Sequence, residues 1–166
     1  LVVGGGMAGL ATALALGRTL PRGQVPLVLL EQSEAFSEVG AGLQLGPNAT
    51  RVLHGWGLES ALRACAAYPE ALSVRDALSG AERGRLRLGE RARQQYGAPY
   101  ATVHRADLHR LLLEAVRADG EVDTRLAQRL QSYQDRAEGV TLHTEAGAAF
   151  QAPVLLGCDG LWSRVR

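Results

Sequence analysis

The stretch Leu1-Val2-Val3-Gly4-Gly5-Gly6-Met7-Ala8-Gly9 sets a short apolar, β-branched segment directly before a glycine turn. Leu1 to Val3 reads as the end of a buried strand. Met7 to Leu20, rich in Ala and Leu, reads as a helix, and Pro21, Gly23 and Pro26 punctuate its exit. Val25 to Glu31 is an apolar run closed by an acid, the pattern of a strand buried on both faces. Strand, glycine turn, helix and strand make one βαβ unit. Within it Gly4, Gly6 and Gly9 stand at G-x-G-x-x-G spacing. The first glycine serves the tight turn, the second lets backbone approach a pyrophosphate, and the third lets the helix pack on the strand. The helix start, at Met7 and Ala8, adds free N–H groups and partial positive charge. Glu31 follows Gly9 by 22 residues, near the spacing at which an acid accepts hydrogen bonds from ribose hydroxyls. Such an acid repels a 2′-phosphate, so the unit suits FAD or NAD better than NADP and leaves those two open.

Outward from this unit, Ser33 to Asn48 reads as a loop with glycines at 40, 42 and 46. Pro47 suits the first turn of a helix running to about Leu53, and a second helix covers Glu59 to Ala66. Leu72 to Leu88 alternates around Ser79-Gly80 and predicts a hairpin or meander. Gly89 to Pro99 reads as a polar loop. Ala106 to Ala118 carries Leu108, Leu111, Leu112, Ala115 and Val116 at helical spacing, and Asp119-Gly120 ends it. Short strands are expected near Val122–Leu126, Arg129–Gln134, Gly139–Thr144 and Phe150–Leu156. The region 72–103 interrupts the βα alternation and is the expected insertion.

Composition narrows the classes. The chain has 166 residues, 46% hydrophobic and 21% charged, which is ordinary for one globular domain and argues against disorder. No apolar run approaches a membrane span, and no signal peptide is visible. Two cysteines, Cys65 and Cys158, exclude a disulfide framework and a four-cysteine zinc site. A cytoplasmic location is the expectation. The net charge of +1 supplies no field for nucleic acid or an anionic membrane. Every basic residue other than histidine is Arg, and the arginines are scattered, which reads as codon bias before function. His54, His104, His109 and His143 lack metal-ligand spacing, so no metal site is expected. Leu1 and Arg166 look like cut ends, so the chain reads as a segment of a longer protein.

Three further motifs carry a resemblance. Gly40-Ala41-Gly42-Leu43-Gln44-Leu45-Gly46-Pro47-Asn48-Ala49-Thr50-Arg51-Val52-Leu53, then His104-Arg105-Ala106-Asp107-Leu108, then Gly157-Cys158-Asp159-Gly160-Leu161-Trp162-Ser163-Arg164-Val165-Arg166 follow in order. With the glycine motif they resemble the FAD-dependent aromatic monooxygenases, the group of salicylate and p-hydroxybenzoate hydroxylases. The resemblance implies an α/β, Rossmann-like FAD-binding domain over residues 1–166, with a mostly parallel sheet and a small inserted β meander at 72–103. It implies FAD as cofactor and NADH or NADPH as transient electron donor, without choosing between the two. Reduced FAD would react with O2 and pass one oxygen atom to a small aromatic substrate. Gly4, Gly6 and Gly9 would cradle the pyrophosphate and Glu31 the adenosine ribose. Gly42 would lie near the ribityl and flavin portion, and Arg105 would reach ribityl or phosphate oxygens. The backbone at Leu130 would meet the adenine, and Asp159 and Gly160 would serve FAD and the approach of NAD(P)H. Cys158 replaces the commoner alanine, and both are small.

Each position has a plainer reading. Arg105 also suits a surface residue before a helix, Asp159 a turn-forming Asp-Gly, and Asp107 a helix cap or first-turn charge. Arg83, Arg85, Arg87, Arg91 and Arg93 read first as a solvated face. Attraction of the nicotinamide cofactor or of an acidic aromatic substrate is the sharper reading. No general base or nucleophile is evident. A halogenase, epoxidase or reductase of the same superfamily, an NAD-dependent dehydrogenase and a non-catalytic binding segment are the alternatives.

Overall fold

The computed structural model describes residues 1–37 and 40–166. The chain divides into two compact units, Leu1–Glu38 with Leu112–Arg166, and Val39–Leu111.

In the first unit, β1 (Val2–Val3) is followed by α1 (Met7–Thr19) and β2 (Leu27–Leu30). The expected βαβ unit is therefore present. α1 forms because its apolar positions fall on one stripe, burying Gly9, Leu10, Ala13, Leu14 and Gly17. β2 is shorter than expected: Pro26 offers no N–H and Val25 is exposed, so pairing starts at Leu27. A parallel four-stranded sheet has the order β12 (Leu156–Gly157), β1, β2, β8 (Val122–Arg125). α5 (Arg105–Asp119) precedes β8. Arg18 and Arg22 pair with the buried Asp119 carboxylate at its end.

Antiparallel β9 (Leu130–Arg136), β10 (Gly139–Thr144) and β11 (Ala149–Ala152) form a second sheet of the same unit. The single strand expected over Phe150–Leu156 is thus two strands in different sheets. Pro153 lies between them and cannot donate to a ladder. Val3, Leu30, Leu130 and Leu142 form one buried cluster, which joins β1 and β2 to β9 and β10.

In the second unit, β3 (Gly42–Leu45), β7 (Ala101–His104) and β4 (Ala66–Ala67) form an antiparallel sheet in the order β3-β7-β4. Part of the loop expected over Ser33–Asn48 is therefore a strand. Leu43 and Leu45 alternate with Gly42 and Gln44, but four residues between glycines are too short a run to signal a strand, and pairing with β7 supplies the order. Glu38 and Val39 of that expected loop lie outside the described residues. α2 (Pro47–Gly55) opens with proline in its first turn, as expected, and α3 (Glu59–Cys65) follows. β5 (Ala71–Arg75) and β6 (Glu82–Arg87) make the expected hairpin.

The polar segment expected as a loop from Gly89 is instead α4 (Gly89–Tyr96). One small buried face, Leu88 with Ala92, holds it, and Gly97 ends it at φ +70°. So few apolar residues leave no periodicity for sequence reasoning to detect.

Candidate cofactor site

In a parallel sheet all strands point the same way, so their C-terminal ends share one edge. The registers Val3 with Leu30, Val3 with Gly157 and Leu30 with Arg125 align these ends. Gly4, Glu31 and Cys158-Asp159 thereby emerge together. Gly4 N–H donates to Leu30 O at 2.8 Å, and Cys158 N–H donates to Val3 O at 2.7 Å. This edge is where open α/β sheets take ligands.

The glycines are required by space. Gly4 has φ +103°, and a Cβ there would stand 2.4 Å from Cys158 O. A Cβ on Gly9 would stand 1.7 Å from Gly4 O, so α1 reaches the turn only because residue 9 has no side chain. Gly6 caps α1 in extended conformation, with no side-chain hydrogen bond and no acid in the first turn. The first N–H groups of a helix have no intrahelical acceptor. Those at Met7, Ala8 and Gly9 therefore leave an uncapped positive helix end, which fits the pyrophosphate of a dinucleotide.

Glu31 is held more firmly than its spacing suggests. Gly5 N–H donates to Glu31 Oε2 at 2.6 Å, and Ser33 N–H donates to Oε1 at 2.8 Å. The carboxylate thus ties the end of β2 to the glycine turn. Each oxygen accepts one of these bonds and has a further lone-pair direction, which suits the two hydroxyls of a ribose. The role of Gly5 was missed from sequence. Its signal is the middle position of the glycine motif, whose backbone points at the acid.

The Asp159 carboxylate turns into its own loop. Oδ1 accepts from Ser163 Oγ at 2.6 Å, and Oδ2 accepts from Arg164 N–H at 2.7 Å and Val165 N–H at 3.2 Å. Burial pushes the carboxyl up, but these donated bonds outweigh it, so Asp159 lies below the usual carboxylate range. Gly160 follows at φ +80° and is exposed. Leu130 is 5% exposed within the β1–β2–β9–β10 cluster, so its side chain is core. Its carbonyl accepts from Arg164 Nη1 at 2.8 Å.

Gly42 and Arg105 belong to the second unit and lie at one end of the β3–β7 pair. Gly42 pairs with His104, and Arg105 N–H donates to Ala41 O at 3.2 Å. Among the described residues a Cβ on Gly42 would meet only Val103 O, at 4.0 Å, so these residues leave open space above it. Among the described residues no group of three or more His, Cys, Asp or Glu is placed to hold a metal ion.

Two 3-hydroxybenzoate 6-hydroxylases are similar along the whole chain. The protein from Polaromonas naphthalenivorans is 40% identical over 166 residues, and that from Klebsiella oxytoca is 36% identical. The chain covers 40% and 41% of their lengths, so it spans about two-fifths of these curated relatives. The structure of 2-methyl-3-hydroxypyridine-5-carboxylic acid oxygenase is similar at TM-score 0.82 and 27% identity, over 99% of this chain and 40% of that one. The FAD binding domain family matches residues 1–166. With the glycine turn, the acid at the end of β2 and the Asp-Gly turn on one edge of a parallel sheet, the chain belongs to the FAD binding domain family.

Proposed function

We propose that the chain is the FAD-binding part of a longer NAD(P)H-dependent monooxygenase that hydroxylates a small aromatic substrate with O2. The observation that carries this reading is the shared sheet edge, on which an uncapped helix N-terminus, Gly4 and Glu31 converge. Relatives named as hydroxylases of hydroxybenzoates support the reaction class. FAD, when bound, supplies the electron transfer and the oxygen chemistry.

The chain's own residues bind and orient it. Gly4 and Gly6, with the N–H groups of Met7, Ala8 and Gly9, hold the pyrophosphate. Glu31 takes the ribose diol while its other lone pairs stay on Gly5 and Ser33. Gly42 leaves room for the flavin side of the cofactor, and Arg105 offers charge to its ribityl or phosphate oxygens. At Leu130 only the backbone is offered to adenine, because the side chain is core. Asp159 acts by shaping the turn that presents Gly160, its carboxylate being engaged by Ser163, Arg164 and Val165. No described helix is long and apolar enough to cross a membrane, and the reading includes a cytoplasmic setting.

The test uses the longest natural chain that contains these residues. Purified, it is expected to be yellow, to bind FAD, and to oxidise NADH or NADPH faster when a hydroxybenzoate is added, with a product one oxygen atom heavier. A colourless protein that fails to take up FAD overturns the reading. Binding of FAD without oxidation of NADH or NADPH by O2 in the presence of any phenol favours a non-catalytic segment. Residues 1–166 alone are expected to hydroxylate nothing.

A further inference from the structure

The second unit contains a cavity of about 730 Å³ that the cofactor reading leaves unused. Arg85 and Arg87 of β6 and Arg91 of α4 line it, together with Pro47, Tyr96 and Tyr100. We propose that this cavity binds a planar aromatic anion, its carboxylate or phosphate held by the three arginines and its ring laid against the tyrosines. The proposal rests on the second unit alone and stands or falls independently of the flavin site.

The arrangement follows from the β6–α4 junction. Leu88 and Ala92 are 9% and 4% exposed and seat the start of α4 directly after the strand. Arg87 and Arg91 are thereby brought from strand and helix to the same cavity. A merely solvated basic face would not sort its arginines, but here they are sorted. Arg83 is spent on Asp76 at 3.1 Å, and Arg93 lies over the Tyr68 ring at 5.9 Å. The remaining three of that basic stretch line one hollow.

Charge complementarity points to an anion. Arg85 has an exposed partner, Glu82, at 3.3 Å, and such a pair is weak. Arg87 and Arg91 have no side-chain hydrogen bond or ion pair among the described residues. Among the described residues no Asp or Glu lines the cavity. The nearby acids Glu70 and Glu90 line a neighbouring cavity of about 420 Å³, which the same three arginines border. Guanidinium forks match carboxylate and phosphate oxygens two at a time. Two tyrosines and a proline add flat apolar surface of the kind that takes an aromatic ring.

Two sources carry this chemistry, an aromatic carboxylate and the phosphates of a nicotinamide dinucleotide. Equilibrium dialysis of the natural chain as purified, whether or not it carries FAD, with benzoate, and separately with NAD+ as a non-reducing dinucleotide, distinguishes them. The triple variant R85Q/R87Q/R91Q is expected to bind one of these probes about tenfold or more weakly, as loss of charge-assisted bonds implies. The charge-matched variant R75Q/R83Q/R117Q is expected to bind it as the wild type does. Weakening for benzoate alone assigns the carboxylate, and for NAD+ alone the phosphate. Absence of saturable binding of either probe to the wild type overturns the proposal. Unchanged affinity in the cavity variant, or equal weakening in both triple variants, also overturns it. Should the triple substitution not fold, R87Q and R91Q singly decide in its place, and unchanged affinity in both is then the overturning result.

Discussion

A Cβ on Gly9 would stand 1.7 Å from the Gly4 carbonyl oxygen, which is backbone and has no rotamer to change. Gly9→Ala is therefore expected to push α1 off the turn at a cost of about 1–3 kcal/mol or more, with loss of FAD binding. Urea denaturation and flavin absorbance after dialysis check both parts. Glu31→Gln tests the neighbouring contact. An amide has only one acceptor oxygen, so either Gly5 N–H or Ser33 N–H, at 2.6 and 2.8 Å in the wild type, would face an NH2. FAD affinity is expected to fall by about tenfold or more, in line with about 1–3 kcal/mol for an unsatisfied donor. An unchanged FAD titration would count against Glu31 as the ribose ligand. Asp159 carries a pH dependence. Its folded pKa is depressed, so its stabilisation is fully present above the ordinary value of 3.8 and is lost as pH falls through the lower folded value. Asp159→Asn is expected to be less stable than wild type at pH 7 by about 1 kcal/mol, the gap closing below the ordinary value. Thermal melts across acid pH read this directly. The close approach at Gly9 was visible in its spacing, as was the place of Glu31 at the end of β2. The turn-forming reading of Asp159 was legible, but the donors it takes within that turn were not, because a short side chain beside glycine has several partners within reach.

Among the elements, α4 separates local from tertiary causes. Its residues are mostly polar, and a sequence with one buried alanine has no stripe to recognise. The turn from β6 and the left-handed Gly97 make it a helix. Gly97→Ala keeps open space around the new methyl, since no described residue lies within 4 Å, but forces φ +70° on a residue with a Cβ. The expected cost is about 1–2 kcal/mol, seen as a lower urea midpoint with an unchanged slope. The hairpin β5–β6 was legible because alternation and a Ser-Gly turn are both local signals. β3 was not, since Gly42 to Leu45 becomes a strand only by lying beside β7. The segment around Pro153 shows the same limit. An apolar run was evident there, but not that its two halves pair with different neighbours, β11 with β10 and β12 with β1.

At the scale of the whole chain, the first unit is joined by a small cluster in which Leu142 is fully buried among Val3, Leu30 and Leu130. Leu142→Ala is expected to cost about 2–5 kcal/mol, because the strands on either side close a cavity only in part. Chemical denaturation checks the value, and a cost under about 1 kcal/mol would show that the sheets do not depend on this contact. Strand, glycine turn, helix and acid lie within the first 31 residues, and their chemistry is local: φ above zero, missing Cβ atoms and free helix N–H groups. From these the amino-acid sequence by itself determined the βαβ unit and the kind of ligand it takes. Pairing decisions between distant segments belong to the tertiary structure, because backbone hydrogen bonding is the same for every residue except proline and packing selects the partner. That selection made β3 a strand, split the run at Pro153, held Glu31 against Gly5 and gathered three of the basic-stretch arginines around one cavity.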